Sequence, residues 1–104
     1  MDIILDNLEG FIWDEGNRQK SVVKHGVTPL EAEEAFFNFN LLSPDPAHSQ
    51  QEIRYRLLGQ DNNGRILFII FAIRNNKARI ISSRLASKKE RTIYAKAAKE
   101  NPEI

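Results

Sequence analysis

The chain has 104 residues, a formal net charge of +1, 41% hydrophobic and 28% charged residues, and no cysteine. That length accommodates one domain with a modest core, so sites are expected to be shallow and superficial. Absent cysteine excludes disulfides, thiolate zinc centres and thiol catalysis. His25 and His48 are the only imidazoles, and neither lies in a tract that would gather several metal ligands on one face. The five glycines, Gly10, Gly16, Gly26, Gly59 and Gly64, form no phosphate-cradling loop, and a Gly-x-Ser-x-Gly elbow is missing. No metal and no cofactor is therefore expected. The apolar run Ile66 to Ile73 is too short for a bilayer, and Met1 to Asp6 is acidic and unlike a secretory leader. The sequence reads as a cytoplasmic protein without membrane association.

The small net charge conceals two halves of opposite sign. Residues 1–64 carry five Lys/Arg against eleven Asp/Glu, whereas residues 65–104 carry ten against three. The carboxy-terminal part suits a polyanion such as nucleic acid, unless the halves neutralise each other in the fold.

In chain order, Gly10-Phe11-Ile12-Trp13-Asp14 reads as a short strand. A helix from about Asn17 to His25 follows, with Gly26 suited to its C-cap. Thr28-Pro29-Leu30-Glu31 opens a second helix with a capping box. Ala32, Ala35, Phe36 and Phe39 continue it at helical spacing, so it is expected to run to the proline loop Ser43-Pro44-Asp45-Pro46. Arg54 to Gln60 alternates as a half-buried strand, and Asn63-Gly64 reads as a type I′ hairpin turn. Arg65 to Arg74, apolar on both faces, reads as the central strand. A further turn at Asn75-Asn76-Lys77 leads to a strand over Ala78 to Ser83, and Ser87-Lys88-Lys89-Glu90 opens a last helix with a second capping box. The order β-α-α-β-β-β-α makes an α+β fold in which an antiparallel sheet carries helices on one face and leaves the other available.

The remaining chemistry is a set of cations near imidazole, hydroxyl and carboxylate. Those parts suffice for metal-independent RNA cleavage. A base takes the proton of the ribose 2′-OH, cations stabilise charge on the crowded phosphorus, and an acid protonates the leaving oxygen. Candidates are Lys24, His25, His48, Glu52, Arg54, Arg74, Arg79 and Arg84. Each also has a plain structural use. Lys24 and His25 suit a helix C-terminus, His48 and Glu52 a solvated loop, Arg54 and Arg56 an open strand face, and Arg79 an edge strand. Arg79 and Arg84 would point to opposite faces of a straight strand, so both serve one site only if the chain bends at Ser82-Ser83. Trp13, Phe36, Phe39, Phe68 and Phe71 read as core. Lys88 and Lys89 oppose the dipole of the last helix, and with Arg84 and Arg91 they form a basic cluster suited to phosphate.

The ordered set of motifs resembles the BrnT-type toxin family over roughly residues 11–95. Its parts are Phe11-Ile12-Trp13-Asp14-Glu15-Gly16-Asn17, Lys24-His25-Gly26-Val27, Glu31-Ala32-Glu33-Glu34-Ala35-Phe36-Phe37, His48-Ser49, Glu52, Arg54-Tyr55, Gly59, Gly64-Arg65, Arg79-Ile80-Ile81-Ser82-Ser83-Arg84, and Lys89-Glu90-Arg91 with Tyr94. The resemblance implies a RelE-like fold and a ribonuclease toxin of a type II toxin–antitoxin pair that cleaves RNA and inhibits translation. It also implies a BrnA-like antitoxin, with operator DNA bound only through the complex. Position by position it implies Lys24, His25, Arg54 and Arg84 as catalytic: His25 as acid or base, the two arginines on the scissile phosphate, and Lys24 on the developing charge. Tyr55, Arg74, Arg79, Lys88, Lys89 and Arg91 are then expected to bind RNA. Two positions depart from the family pattern: Ser21 stands where many relatives carry Asn, and Ile53 where relatives often carry an acidic residue, which weakens any carboxylate role for Glu52. The alternative expectation is a non-catalytic module of this fold that binds RNA or antitoxin and acts as a co-repressor.

Overall fold

The computed structural model describes residues 3–48 and 51–101. A helical turn α1 (Ile3–Asp6) precedes strand β1 (Gly10–Ile12), helices α2 (Glu15–His25) and α3 (Pro29–Glu34), strand β2 (Asn40–Pro44), a 3-10 turn (Pro46–His48), strands β3 (Arg54–Gln60), β4 (Ile66–Arg74) and β5 (Lys77–Leu85), and helix α4 (Lys88–Glu100). The strands form one sheet in the order β1-β5-β4-β3-β2, with β4 at its centre as its two-sided apolar sequence requires. β1 pairs with β5 in parallel, and the other neighbours are antiparallel.

Helix α2 ends where Gly26 takes φ 66° and the amides of Gly26 and Val27 return to the carbonyls of Val22 and Ser21. Helix α3 opens with the Thr28–Glu31 capping box. It does not continue to Phe39. After Glu34 the chain turns, and Asn40 Nδ2 donates to the carbonyls of Ala35, Phe36 and Asn38 while Asn38 Nδ2 donates to the Gln60 carbonyl at 2.7 Å. These asparagine amides offer the backbone an alternative to further helix, and Asn40 begins β2 instead. The expected proline loop is therefore partly strand, with Pro44 closing an edge strand where a missing donor does no harm.

The turn at Asn63-Gly64 also differs from expectation. Asp61 Oδ1 accepts from the amides of Asn63 and Arg65, and only Gly64 (φ 89°) takes a positive φ there. The two-residue turn with paired positive φ is Asn75 (51°) and Asn76 (63°), between β4 and β5.

The main core lies between the sheet and the segment that carries α3, where Val27, Ala32, Ala35 and Phe36 meet Leu57, Leu67, Ile69, Phe71, Ala78 and Ile80. Phe36 packs edge-on against Phe11 and Phe71, each at 5.0 Å. Leu5 and Leu8 join this cluster from the amino-terminal segment. A second, smaller cluster on the other face joins Leu58, Ala86 and Tyr94 to Phe39, Ile66 and Phe68. Helix α4 thus covers one end of the face opposite α2 and α3. Phe36 and Phe39 end on different faces, which a continued helix could not achieve. Among the described residues no helix is long and apolar enough to cross a membrane.

Candidate nucleic-acid interface

On the open part of the sheet, alternation along β3 and β4 brings Arg54, Arg56, Ile70, Ala72 and Arg74 to the face away from α2 and α3. Strand β5 joins them through an irregularity. Phe71 pairs with Ile80 but Ile70 pairs with Ser82, so Ile81 is an extra residue, a β-bulge. The bulge restores Arg84 to the face that carries Arg79. The condition for both to serve one surface is met one residue earlier than expected.

Three cross-strand rows result. Arg54 and Arg79 both pair with Ala72, which is fully buried beneath them. Arg56 and Ser82 both pair with Ile70, and Leu58 and Arg84 both pair with Phe68. Between Arg54 and Arg84 lie two strand spacings and four residues, on the order of 15 Å at the backbone. They therefore belong to separate parts of the surface.

At the first row Glu52, just before β3, gathers three guanidiniums. Its carboxylate lies 3.1 Å from Arg74 Nε, 3.5 Å from Arg79 Nη1 and 4.0 Å from Arg54 Nη2. Arg79 also meets Asp14 Oδ2 at 2.7 Å. Asp14 is the N-cap residue of α2 but makes no side-chain capping bond, because its carboxylate is turned to Arg79. Arg79 is no edge-strand guard, since β1 flanks it. Glu52 is no solvated loop carboxylate either, its side chain being only 24% exposed.

At the third row Arg84 donates Nη1 and Nη2 to the two oxygens of Glu90 at 2.8 and 3.0 Å, with its guanidinium carbon 4.3 Å from the centroid of Phe68. Hydrogen bonding from Arg84 is the largest cause that holds the Glu90 carboxyl down at about 2. Glu90 also accepts from the Ser87 amide while Ser87 Oγ accepts from the Glu90 amide. This capping box ties Arg84 to the start of α4, and it engages the Glu90 amide that a phosphate could otherwise use. Lys88 and Lys89 are exposed in the same turn, and Arg91 Nη1 donates to the Ala86 carbonyl at 2.9 Å.

The other expected site residues lie elsewhere. Lys24 and His25 end α2, which runs along β5 through Ser21 Oγ and Ser83 Oγ at 2.8 Å and through Asn17 Nδ2 on the Ile80 carbonyl. Ser83 belongs to the core face, so α2 places Lys24 and His25 on the side of the sheet away from the arginines. Tyr55 stacks on Phe71 at 5.6 Å within the main core and also faces away from them. The side chain of His48 lies outside the described residues. Among the described residues no three His, Cys, Asp or Glu side chains group as metal ligands. Sequence reasoning missed Asp14, Glu90 and above all Glu52 as partners of the arginines. For Glu52 a signal existed, because residues two apart in extended chain share a face and Glu52 stands two before Arg54.

The family model described as the ribonuclease toxin, BrnT, of a type II toxin–antitoxin system matches residues 13–90. This chain belongs to the BrnT toxin family. The crystal structure of the Brucella abortus ribonuclease toxin, BrnT, is similar, with a TM-score of 0.60 and 29% sequence identity over 76% of this chain and 97% of that one. The curated proteins contain no match. Membership of the BrnT family makes this chain a ribonuclease toxin of a type II toxin–antitoxin system, paired with an antitoxin. Its α+β architecture and five-stranded, mostly antiparallel sheet accord with that structural likeness.

Proposed function

We propose that this toxin is a metal-independent endoribonuclease that takes single-stranded RNA across the open face of its sheet. The observation that carries the reading is the bulge at Ile81, which sets Arg79 and Arg84 on one face with Arg54, Arg56 and Arg74. Guanidiniums there neutralise RNA phosphates, and Lys88, Lys89 and Arg91 at the start of α4 extend the basic track. In the cleavage step a base removes the 2′-OH proton and the 2′ oxygen attacks phosphorus. The 5′ oxygen then leaves with a proton from the acid, so that a cyclic phosphate and a 5′-hydroxyl result. Arg84, oriented by Glu90 and Phe68, supports charge on the phosphorus. The family resemblance supports His25 for proton transfer and Lys24 for the developing charge, but α2 holds both on the side of the sheet away from Arg84, so they do not meet a phosphate held on the open face.

The activity reads as cytoplasmic inhibition of translation, relieved by a BrnA-like antitoxin whose complex binds operator DNA. A second reading, a non-catalytic module acting as co-repressor, is favoured by one observation: Lys24 and His25 stand on the far side of the sheet from the arginines. Incubation of antitoxin-free protein with RNA in EDTA, beside His25→Ala and Arg84→Ala, separates the two. Cleavage lost in both variants supports the enzyme. Intact RNA in every lane, with translating ribosomes added, leaves the binding module.

A further inference from the structure

We infer that Glu52 is an internal stand-in for an RNA phosphate, an acidic side chain that occupies the Arg54–Arg74–Arg79 site and must be displaced when RNA binds. The inference rests on the open face being the RNA surface. Three guanidiniums from β3, β4 and β5 converge on one carboxylate at 3.1, 3.5 and 4.0 Å, and Arg54 and Arg79 share a single oxygen, Oε1. Of the three contacts only that to Arg74 has hydrogen-bond length, and those to Arg79 and Arg54 are longer ion-pair contacts. The two-point Arg84–Glu90 pair, at 2.8 and 3.0 Å, shows the geometry a dedicated partner adopts. Nor is Glu52 needed to anchor Arg79, because Asp14 already does so at 2.7 Å. The floor between Arg54 and Arg79 is the small side chain of Ala72, fully buried beneath them. A phosphodiester carries the same single charge on two anionic oxygens and can take the same place among the three guanidiniums. Glu52 then acts as a competitor that sets how tightly RNA is held.

The opposite reading, that Glu52 merely orders the arginines for RNA, predicts the opposite sign, which makes the test decisive. Full-length wild type, Glu52→Gln, Glu52→Asp and Glu52→Gln combined with Arg74→Ala are titrated with a fluorescent, non-cleavable 2′-O-methyl single-stranded RNA over a salt series. Thermal melts confirm that each is folded. Glu52→Gln is expected to bind roughly fivefold more tightly at low salt, the upper range for a part-exposed charge pair. Its slope of log affinity on log salt is expected to steepen by about 0.7, the increment for one more phosphate on a single strand. Glu52→Asp, one methylene shorter, is expected to gain less, and Arg74→Ala is expected to abolish the gain. Unchanged or weaker binding by Glu52→Gln and Glu52→Asp overturns the inference, as does absence of binding by every protein. Because the probe cannot be cut, failure of the cleavage assay leaves this readout intact, and the two proposals fall separately.

Discussion

Arg84 shows how much one guanidinium can organise. It bonds both oxygens of Glu90 and lies over Phe68, and Glu90 in turn caps α4. The Glu90 carboxyl is held at about 2, below its ordinary 4.5. A lowered folded value stabilises the protein in full above the unfolded value and is lost as pH falls through the folded one, so the window runs from about 4.5 down to about 2. With Arg84 38% and Glu90 22% exposed, solvent screening limits the worth to about 1 kcal/mol. Urea unfolding is expected to lose that increment in wild type across this window and to lose less of it in Glu90→Gln. Arg84 was legible as a site residue because a cation closes its strand before a basic helix start. Glu90 was legible only as a cap, since nothing in a linear sequence shows that both its oxygens also reach back to Arg84 on the preceding strand.

At the scale of elements, the end of α3 decides the layout. Its last turn presses on β3 so closely that a Cβ at Gly59 would lie 2.7 Å from the Ala35 carbonyl and 3.0 Å from Leu57 Cδ2. Backbone cannot yield there as a flexible side chain would. Gly59→Ala is expected to cost about 1–3 kcal/mol, read as a lower urea midpoint with an unchanged slope. At the start of α4, Ser87→Ala removes an N-cap acceptor, with an expected loss of about 1 kcal/mol on the same assay. The capping boxes, the Gly26 stop and the central strand were all visible in the sequence, because each rests on local chemistry at fixed spacing. Strand β2 was not. Phe36 and Phe39 have helical spacing, and the bonds that end the helix come partly from Gln60, which lies 22 residues beyond Asn38. The bulge was hidden for the same reason, since its register is set by pairing with β4.

Over the whole molecule the opposed halves do meet. Asp14 and Glu52 from the acidic part hold Arg79 and Arg74, and Glu31 and Asp61 hold Arg65. Pairing is incomplete, however: among the described residues Lys88 and Lys89 form no ion pair, and the guanidiniums on the open face outnumber their carboxylates. Binding of single-stranded RNA is therefore expected to weaken steeply with salt. The double variant Arg74→Ala/Arg79→Ala should flatten the slope of log affinity on log salt by about 1.4, nearly uniformly across RNA sequences. A fluorescence-anisotropy salt series with two unrelated oligonucleotides checks both expectations. Composition by half pointed to the polyanion, but the face that gathers the arginines became visible only with the pairings.

The parallel pairing of β1 with β5 also orders events in time. Residues 10–12 must wait for residues 77–79, and Asp14 and Arg79 are 65 positions apart in the chain. Contacts of that separation form late, after shorter loops have closed. During synthesis at about 5–20 residues per second, the ribosome releases the first strand seconds before its partner exists. The edge of the sheet and the ion pair beside the arginine cluster are thus completed together, once residues 77–79 have been made. Any chain interrupted before Arg74 lacks Arg74, Arg79 and Arg84 altogether. A message broken upstream of the Arg74 codon thus yields a product without three of the charges that the finished face assembles.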